Sequence, residues 1–215
     1  MVWIAALGVA VTAAVVMGAL VPRVRIDDDP EAPDFATLMS PRSVAGVGLA
    51  AFVVAQVLWV VPEPHWWLWV PYLGIGGAMA YVDLRTTFLP RMLHYVGVAA
   101  MGAGLVVLAL IDGWAALGAV IGALGAFALL YLAWRLSPGL GFGDVRLAVL
   151  IGGVAGQAGA SMWGLSLFLG TALGAVHAVG HALWARRDPE RPRYFPYGPA
   201  LWLGPVVAAV WTGLA

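Results

Sequence analysis

The chain has 215 residues, of which 62% are hydrophobic and 10% charged, and its formal net charge is zero. Soluble domains carry about a quarter charged residues, so the composition excludes a water-soluble globular domain, and the neutral balance gives no basic surface for nucleic acid. Cysteine is absent, which removes disulfides, thiolate metal ligands and cysteine nucleophiles and leaves oxygen and histidine groups to carry any chemistry.

Residues 1–21 are apolar over about the 20 residues a helix needs to cross a bilayer. The segment lacks the positive n-region of a secretory signal, so it reads as a retained helix. Segment 22–42 sets Asp27, Asp28, Asp29, Glu31 and Asp34 among Pro22, Pro30, Pro33 and Pro41. It is expected to be a solvated, irregular loop, since the glycine and glutamate spacing of a calcium loop is missing.

All eleven basic residues are arginine. They fall in four clusters: Arg23, Arg25 and Arg42; Arg85 and Arg91; Arg135 and Arg146; and Arg186, Arg187, Arg191 and Arg193. Successive clusters are separated by apolar stretches about twice the ~20 residues of one crossing, so each stretch predicts a helical hairpin. The expected spans are 2–21, 43–61, 66–82, 93–111, 115–135, 145–158, 161–184 and 198–214. The sixth is short and is expected to begin in a re-entrant or partly unwound segment. The turns are expected at 61–65, 111–113 and 157–161. The fold class is therefore all-α: one polytopic membrane bundle of about eight helices spanning 1–215. The positive-inside rule makes the arginine face cytoplasmic and puts both termini outside.

Trp59, Trp66, Trp67, Trp69, Trp163, Trp184 and Trp202 lie near predicted helix ends, where an interfacial aromatic belt accounts for them. Gly118 and Gly122 have the small-residue spacing of close helix packing. His177 and His181 would share a helix face, but Ala178, Val179 and Gly180 stand where a zinc protease needs a glutamate, so they read as packing or hydrogen-bonding residues and no metal is expected.

Most acidic residues have an ordinary setting: the loop, the tip residue Glu63, the turn residue Asp112, and Asp188 and Glu190 among arginines. Asp83 and Asp144 do not. Each sits at the same end of a predicted span, and a carboxylate there normally faces the bundle interior with a partner. Arg85 and Arg146, each two residues on, are candidate partners. Alternatively the two aspartates face one another across a water and share one proton, which is the arrangement of an aspartic protease. Glycines at 139, 141 and 143 would free the backbone ahead of Asp144 and leave room for a substrate strand.

Three patterns around these residues resemble the type IV prepilin peptidases, membrane aspartic proteases of the GxGD class. Asp83-Leu84-Arg85-Thr86-Thr87-Phe88-Leu89-Pro90 is similar to the family's Asp followed six residues later by Pro. Gly141-Phe142-Gly143-Asp144-Val145-Arg146-Leu147 resembles GxGDVKL with Arg for Lys, and residues 195–204 resemble the PFGPxLxLG stretch before the last helix. The resemblance implies leader cleavage from prepilin or pseudopilin precursors at the cytoplasmic membrane face, with Asp83 and Asp144 catalytic. It implies loop-shaping or substrate contacts at Gly141, Gly143, Pro90, Arg85 and Arg146, and no cofactor. The implied partners are the protein substrate and the bilayer; no oligomeric state follows. Many members carry a cysteine-bearing cytoplasmic region and also methylate the new N-terminus; here that region shrinks to the acidic loop, so the resemblance does not extend to methylation. Arg91 and His94 also depart from the family pattern, close enough to Asp83 to alter substrate handling. Two other readings use the same residues: a proton- or ion-coupled transporter in which the aspartates bind a cation, and a non-catalytic homologue serving pilus assembly.

Overall fold

A computed structural model describes residues 1–26, 32–137, 139–188 and 195–213. The described residues form an all-α bundle of eight helices: α1 (Val2–Val15), α2 (Pro41–Val54), α3 (Trp66–Thr86), α4 (Arg91–Ile111), α5 (Gly113–Leu136), α6 (Phe142–Gly156), α7 (Ala160–Ala185) and α8 (Gly198–Gly213). α1 runs on through a wider turn at Val16–Leu20 and a tight one at Val21–Arg23, and α2 tightens at Ala55–Trp59. Five helical segments are long and apolar enough to cross a membrane: Val2–Arg23, Pro41–Trp59, α4, α5 and α7. α3, α6 and α8 lie inside them.

The turns form where short polar or glycine residues allow them. The Asp112 carboxylate accepts the N–H groups of Trp114 at 3.1 Å and Ala115 at 3.0 Å, capping α5 directly after α4. Gly159 turns the chain from α6 into α7 with a φ of 96°, a conformation that favours glycine. Ser40 and Ser43 cap α2 reciprocally. Before them, Asp34 accepts the Ala36 N–H at 3.0 Å, and Phe35 is buried, so this part of the acidic segment is tied to the core. Residues 27–31 of that segment lie outside the described residues.

α5 and α6 pack backbone to backbone. A methyl group at Gly122 would overlap the Gly152 carbonyl, and one at Gly118 would stand 2.6 Å from the Gly156 carbonyl oxygen. The small-residue reading of Gly118 and Gly122 is therefore met by two partner glycines on α6. Continuing this pairing sets Asp144 beside the stretch Leu130–Ala133, some 5–9 Å short of the end of α5 at 1.5 Å per residue. α6 itself measures about 22 Å, less than the ~30 Å of a hydrocarbon core. It starts at Phe142 as a regular helix, three residues before the expected start, and follows a non-helical stretch at 139–141.

Trp59, Trp67 and Trp184 are exposed, as an interfacial belt requires. The belt fails for others. Trp69 and Trp202 are buried, the indole N–H of Trp202 donates to the Tyr72 carbonyl at 3.3 Å, and that of Trp163 donates to the Gly122 carbonyl at 2.9 Å. The indoles of Trp202 and Trp163 fill space beside Gly76 and Gly122 of neighbouring helices, a tertiary partnership that position near a span end does not reveal.

Candidate active site

Asp83 lies in the last full turn of α3, which ends when Thr87 adopts the left-handed conformation (φ 60°) and its N–H bonds the Asp83 carbonyl at 2.7 Å. The chain then runs through Phe88 and Leu89 to Pro90, whose extended backbone starts α4. Asp144 lies in the first turn of α6, its N–H donating to the Gly141 carbonyl at 3.1 Å. Both aspartates are buried, at 3% and 7% exposure, yet both line one cavity of about 1450 Å³. They are near enough for the charge of Asp83 to act on Asp144.

The wall of this cavity comes from segments far apart in the chain. Val24–Ile26, just after the first span, face Thr87–Met92, the end of α5, residues 139–143, and Phe195, Tyr197 and Leu201 around the start of α8. The most direct contact to either aspartate comes from the last of these: the Gly198 N–H donates to Asp83 Oδ2 at 2.9 Å. A free N–H at a helix start is a natural carboxylate partner. Glycine suits the position, because a Cβ on residue 198 would lie 2.7 Å from that oxygen and the carboxylate would have to shift. The 195–204 pattern was visible in the sequence, but nothing in it said that its glycine would hold Asp83.

The glycine loop is less extended than expected. Gly141 is extended (φ −74°, ψ 144°), but Gly143 is helical. Its lack of a side chain answers to packing instead: a Cβ on Gly143 would lie 2.8 Å from the Cβ of Leu89. The two aspartate-bearing segments thus meet at Gly143 and Leu89.

Arg85 does not join the site. It is exposed on the last turn of α3 and lies outside the cavity wall. Arg146 does line the cavity, but its Nε donates to the Phe142 carbonyl at 3.5 Å and its guanidinium sits 5.6 Å from the Phe142 ring centre, so it braces its own helix start rather than an aspartate. Arg25 and Arg91 complete a set of three cavity arginines.

His94 is buried one turn into α4, its Nδ1 3.2 Å from the Pro90 carbonyl, and its ring lies beside the Gly143 backbone and Arg146. Among the described residues its Nε2 has no hydrogen-bond partner. His177 and His181 pack against Phe195 at ring distances of 5.7 and 6.1 Å, and Phe195 packs edge-on against Tyr197, 6.0 Å away. No cluster of three potential metal ligands occurs among the described residues.

Fold and site together define a class: a helical membrane bundle with a pair of buried carboxylates in the wall of one open, partly apolar cavity. Set against protein-family models, curated proteins and solved structures, the chain has no match.

Proposed function

We propose that the chain is a membrane aspartic endopeptidase of the prepilin leader peptidase type. It would cleave the leader of a type IV prepilin-like or pseudopilin precursor at the cytoplasmic membrane face. The observation that carries the reading is the placement of Asp83 and Asp144, from two different helices, in the wall of one cavity, together with the three sequence patterns that resemble that family.

The chemistry follows from two carboxyls holding one proton between them. The ionised carboxyl takes a proton from a water molecule while the water oxygen bonds to the scissile carbonyl carbon; the protonated carboxyl gives its hydrogen to the carbonyl oxygen. When the tetrahedral intermediate collapses, the C–N bond breaks, the proton taken from water passes to the departing amine, and one hydroxyl of the intermediate returns its proton to the second carboxyl as the carbonyl re-forms. No covalent enzyme intermediate forms. The Gly198 N–H fixes one oxygen of Asp83 and leaves the other for the water or the substrate. The apolar part of the cavity near Leu129, Leu130 and Leu201 suits the start of a substrate's hydrophobic helix, and Arg25, Arg91 and Arg146 suit an acidic residue near its mature N-terminus.

The test is co-expression with a candidate prepilin from the same genome, followed by mass measurement of the product N-terminus. Leader removal in the wild type and none in Asp83→Asn or Asp144→Asn is expected. Processing that continues in either inserted variant refutes the two-aspartate mechanism, and the same spectrum reads whether the new N-terminus is methylated.

A further inference from the structure

A second concavity lies on the other side of α3 from the aspartates. It runs between α2, α3 and α8, from Arg42 and Ser43 at one end to Val54 at the other, and measures about 430 Å³. Gly46 and Ala50 form its outer wall and Trp202 its floor, and the lining is almost wholly apolar apart from the Arg42 end and Tyr81.

Its proportions select the occupant. Twelve residues of helix from Arg42 to Val54 cover about 18 Å, so the mean cross-section is roughly 24 Å². A helix about 10–12 Å across has a section of roughly 80–110 Å², so the groove is too narrow to take a partner helix or a substrate's membrane segment into it. A single hydrocarbon chain fits, with carbons about 3.5–4.0 Å from the walls. Water is disfavoured because a site needs two to four polar partners to hold it and this lining offers them only at the mouth.

The charged end fixes the headgroup. Arg42 is exposed at the mouth of the groove, in the first turn of a helix apolar enough to cross a membrane, where a phospholipid's phosphate lies. Guanidinium recognises phosphate through paired N–H donors. Tyr81, on the facing helix, lies at the same end.

We infer that this groove binds one anionic glycerophospholipid, with an acyl chain between α2, α3 and α8 and its phosphate at Arg42. The groove lining includes Leu84 and Pro199, the immediate neighbours of Asp83 and Gly198, so the bound chain touches the helix ends that make the 2.9 Å Gly198–Asp83 contact. Binding itself is independent of what reaction the aspartates perform.

The experiment is native mass spectrometry of the full chain, delipidated in detergent and titrated with phosphatidylglycerol or phosphatidylethanolamine. One phosphatidylglycerol should be retained per chain at activation that strips other lipids, in preference to phosphatidylethanolamine. Gly46→Leu adds a bulky side chain at the groove wall without a backbone clash, since a Cβ there meets nothing within 4 Å; it should abolish the retained lipid while the chain keeps its thermal transition. Arg42→Gln should weaken phosphatidylglycerol about fivefold and remove the headgroup preference. Excess inorganic phosphate should not displace the lipid. Retention unchanged in Gly46→Leu overturns the proposal, as does a photo-crosslinker at position 50 that captures a peptide helix instead of lipid.

Discussion

The five spans that are long and apolar enough to cross a membrane have a third or less of their most hydrophobic windows buried. The other three helices are built differently. Eleven of the fifteen residues of α6 are buried, as are twelve of twenty-one in α3. α6 and α8 are short, and α3 is diluted by Trp, Pro, Tyr and Gly; together they supply Asp83, Asp144 and Gly198. In lipid, an outer helix must be long and oily because its solvent is hydrocarbon. An inner helix is released from that demand by its neighbours and can carry glycines, indoles and carboxylates. The contrast teaches that the buried carboxylates of such a bundle reside in the helices that look least like membrane spans.

The largest expected effect lies at the inner pair. Asp83→Asn and Asp144→Asn should each cut cleavage by about 10²–10⁴-fold or more, the range for losing a positioned acid or base, with membrane insertion unchanged because the outer spans are untouched. Leader processing read by mass, beside a membrane-fraction blot, checks both halves. Equal loss of insertion would break the contrast, since it would make the inner carboxylates structural.

Next come the glycines that touch the site. Gly198→Ala puts a Cβ 2.7 Å from Asp83 Oδ2, and Gly143→Ala puts one 2.8 Å from the Leu89 Cβ. Each must move an aspartate-bearing segment by a fraction of an ångström to an ångström, a displacement that costs up to about 100-fold in rate. The signature is a fall in kcat on a leader peptide with little change in the thermal transition. Wild-type kcat in Gly198→Ala would remove Gly198 from the site.

How far the sequence could be read divides along the same line. The spans from arginine clusters and apolar runs agree with the helices closely: 93–111 was expected against Arg91–Ile111, and 161–184 against Ala160–Ala185. The carboxylates stood out because nothing local explained them. Trp202 was misplaced in an interfacial belt because its partner, Tyr72, is remote in the chain and its burial depends on Gly76 across a helix pair. Gly143 was read as freedom of the backbone when its cause is the side chain of Leu89. Val24–Ile26 and Arg25 gave no signal at all, because only tertiary folding brings the first connection to the cavity. Periodicity and charge report a helix's relation to solvent, whereas inner contacts depend on which helices meet.

The packing itself offers a paired comparison. Gly122→Ala drives a methyl into the Gly152 carbonyl, and overpacking of this kind costs about 1–3 kcal/mol. Gly102 on α4 is exposed, and a Cβ there meets nothing within 4 Å, so Gly102→Ala should be neutral or stabilise by up to about 1 kcal/mol through helix propensity. Thermal transitions in detergent, taken side by side, sharpen the inner and outer distinction most directly. Equal shifts at the two sites would show that α5 and α6 part easily.

The smallest effect expected is at the hydrogen-bonded pair between α3 and α8. The Tyr72 hydroxyl donates to the Trp202 carbonyl at 2.6 Å, and the Trp202 indole donates back to the Tyr72 carbonyl at 3.3 Å. Bonds of this kind inside membrane bundles average about 0.6 kcal/mol, with a maximum near 1.7. Tyr72→Phe removes one donor and keeps the ring, and the Trp202 carbonyl still lies within the regular run of α8, so the loss should fall near the lower figure. Its thermal transition should drop by less than that of Gly122→Ala, and leader cleavage should be unchanged, because the indole still spans the two helices. A larger fall in cleavage than in stability would mean that α8 shifts when the hydroxyl is lost and carries Gly198 away from Asp83, making this pair part of what positions the site.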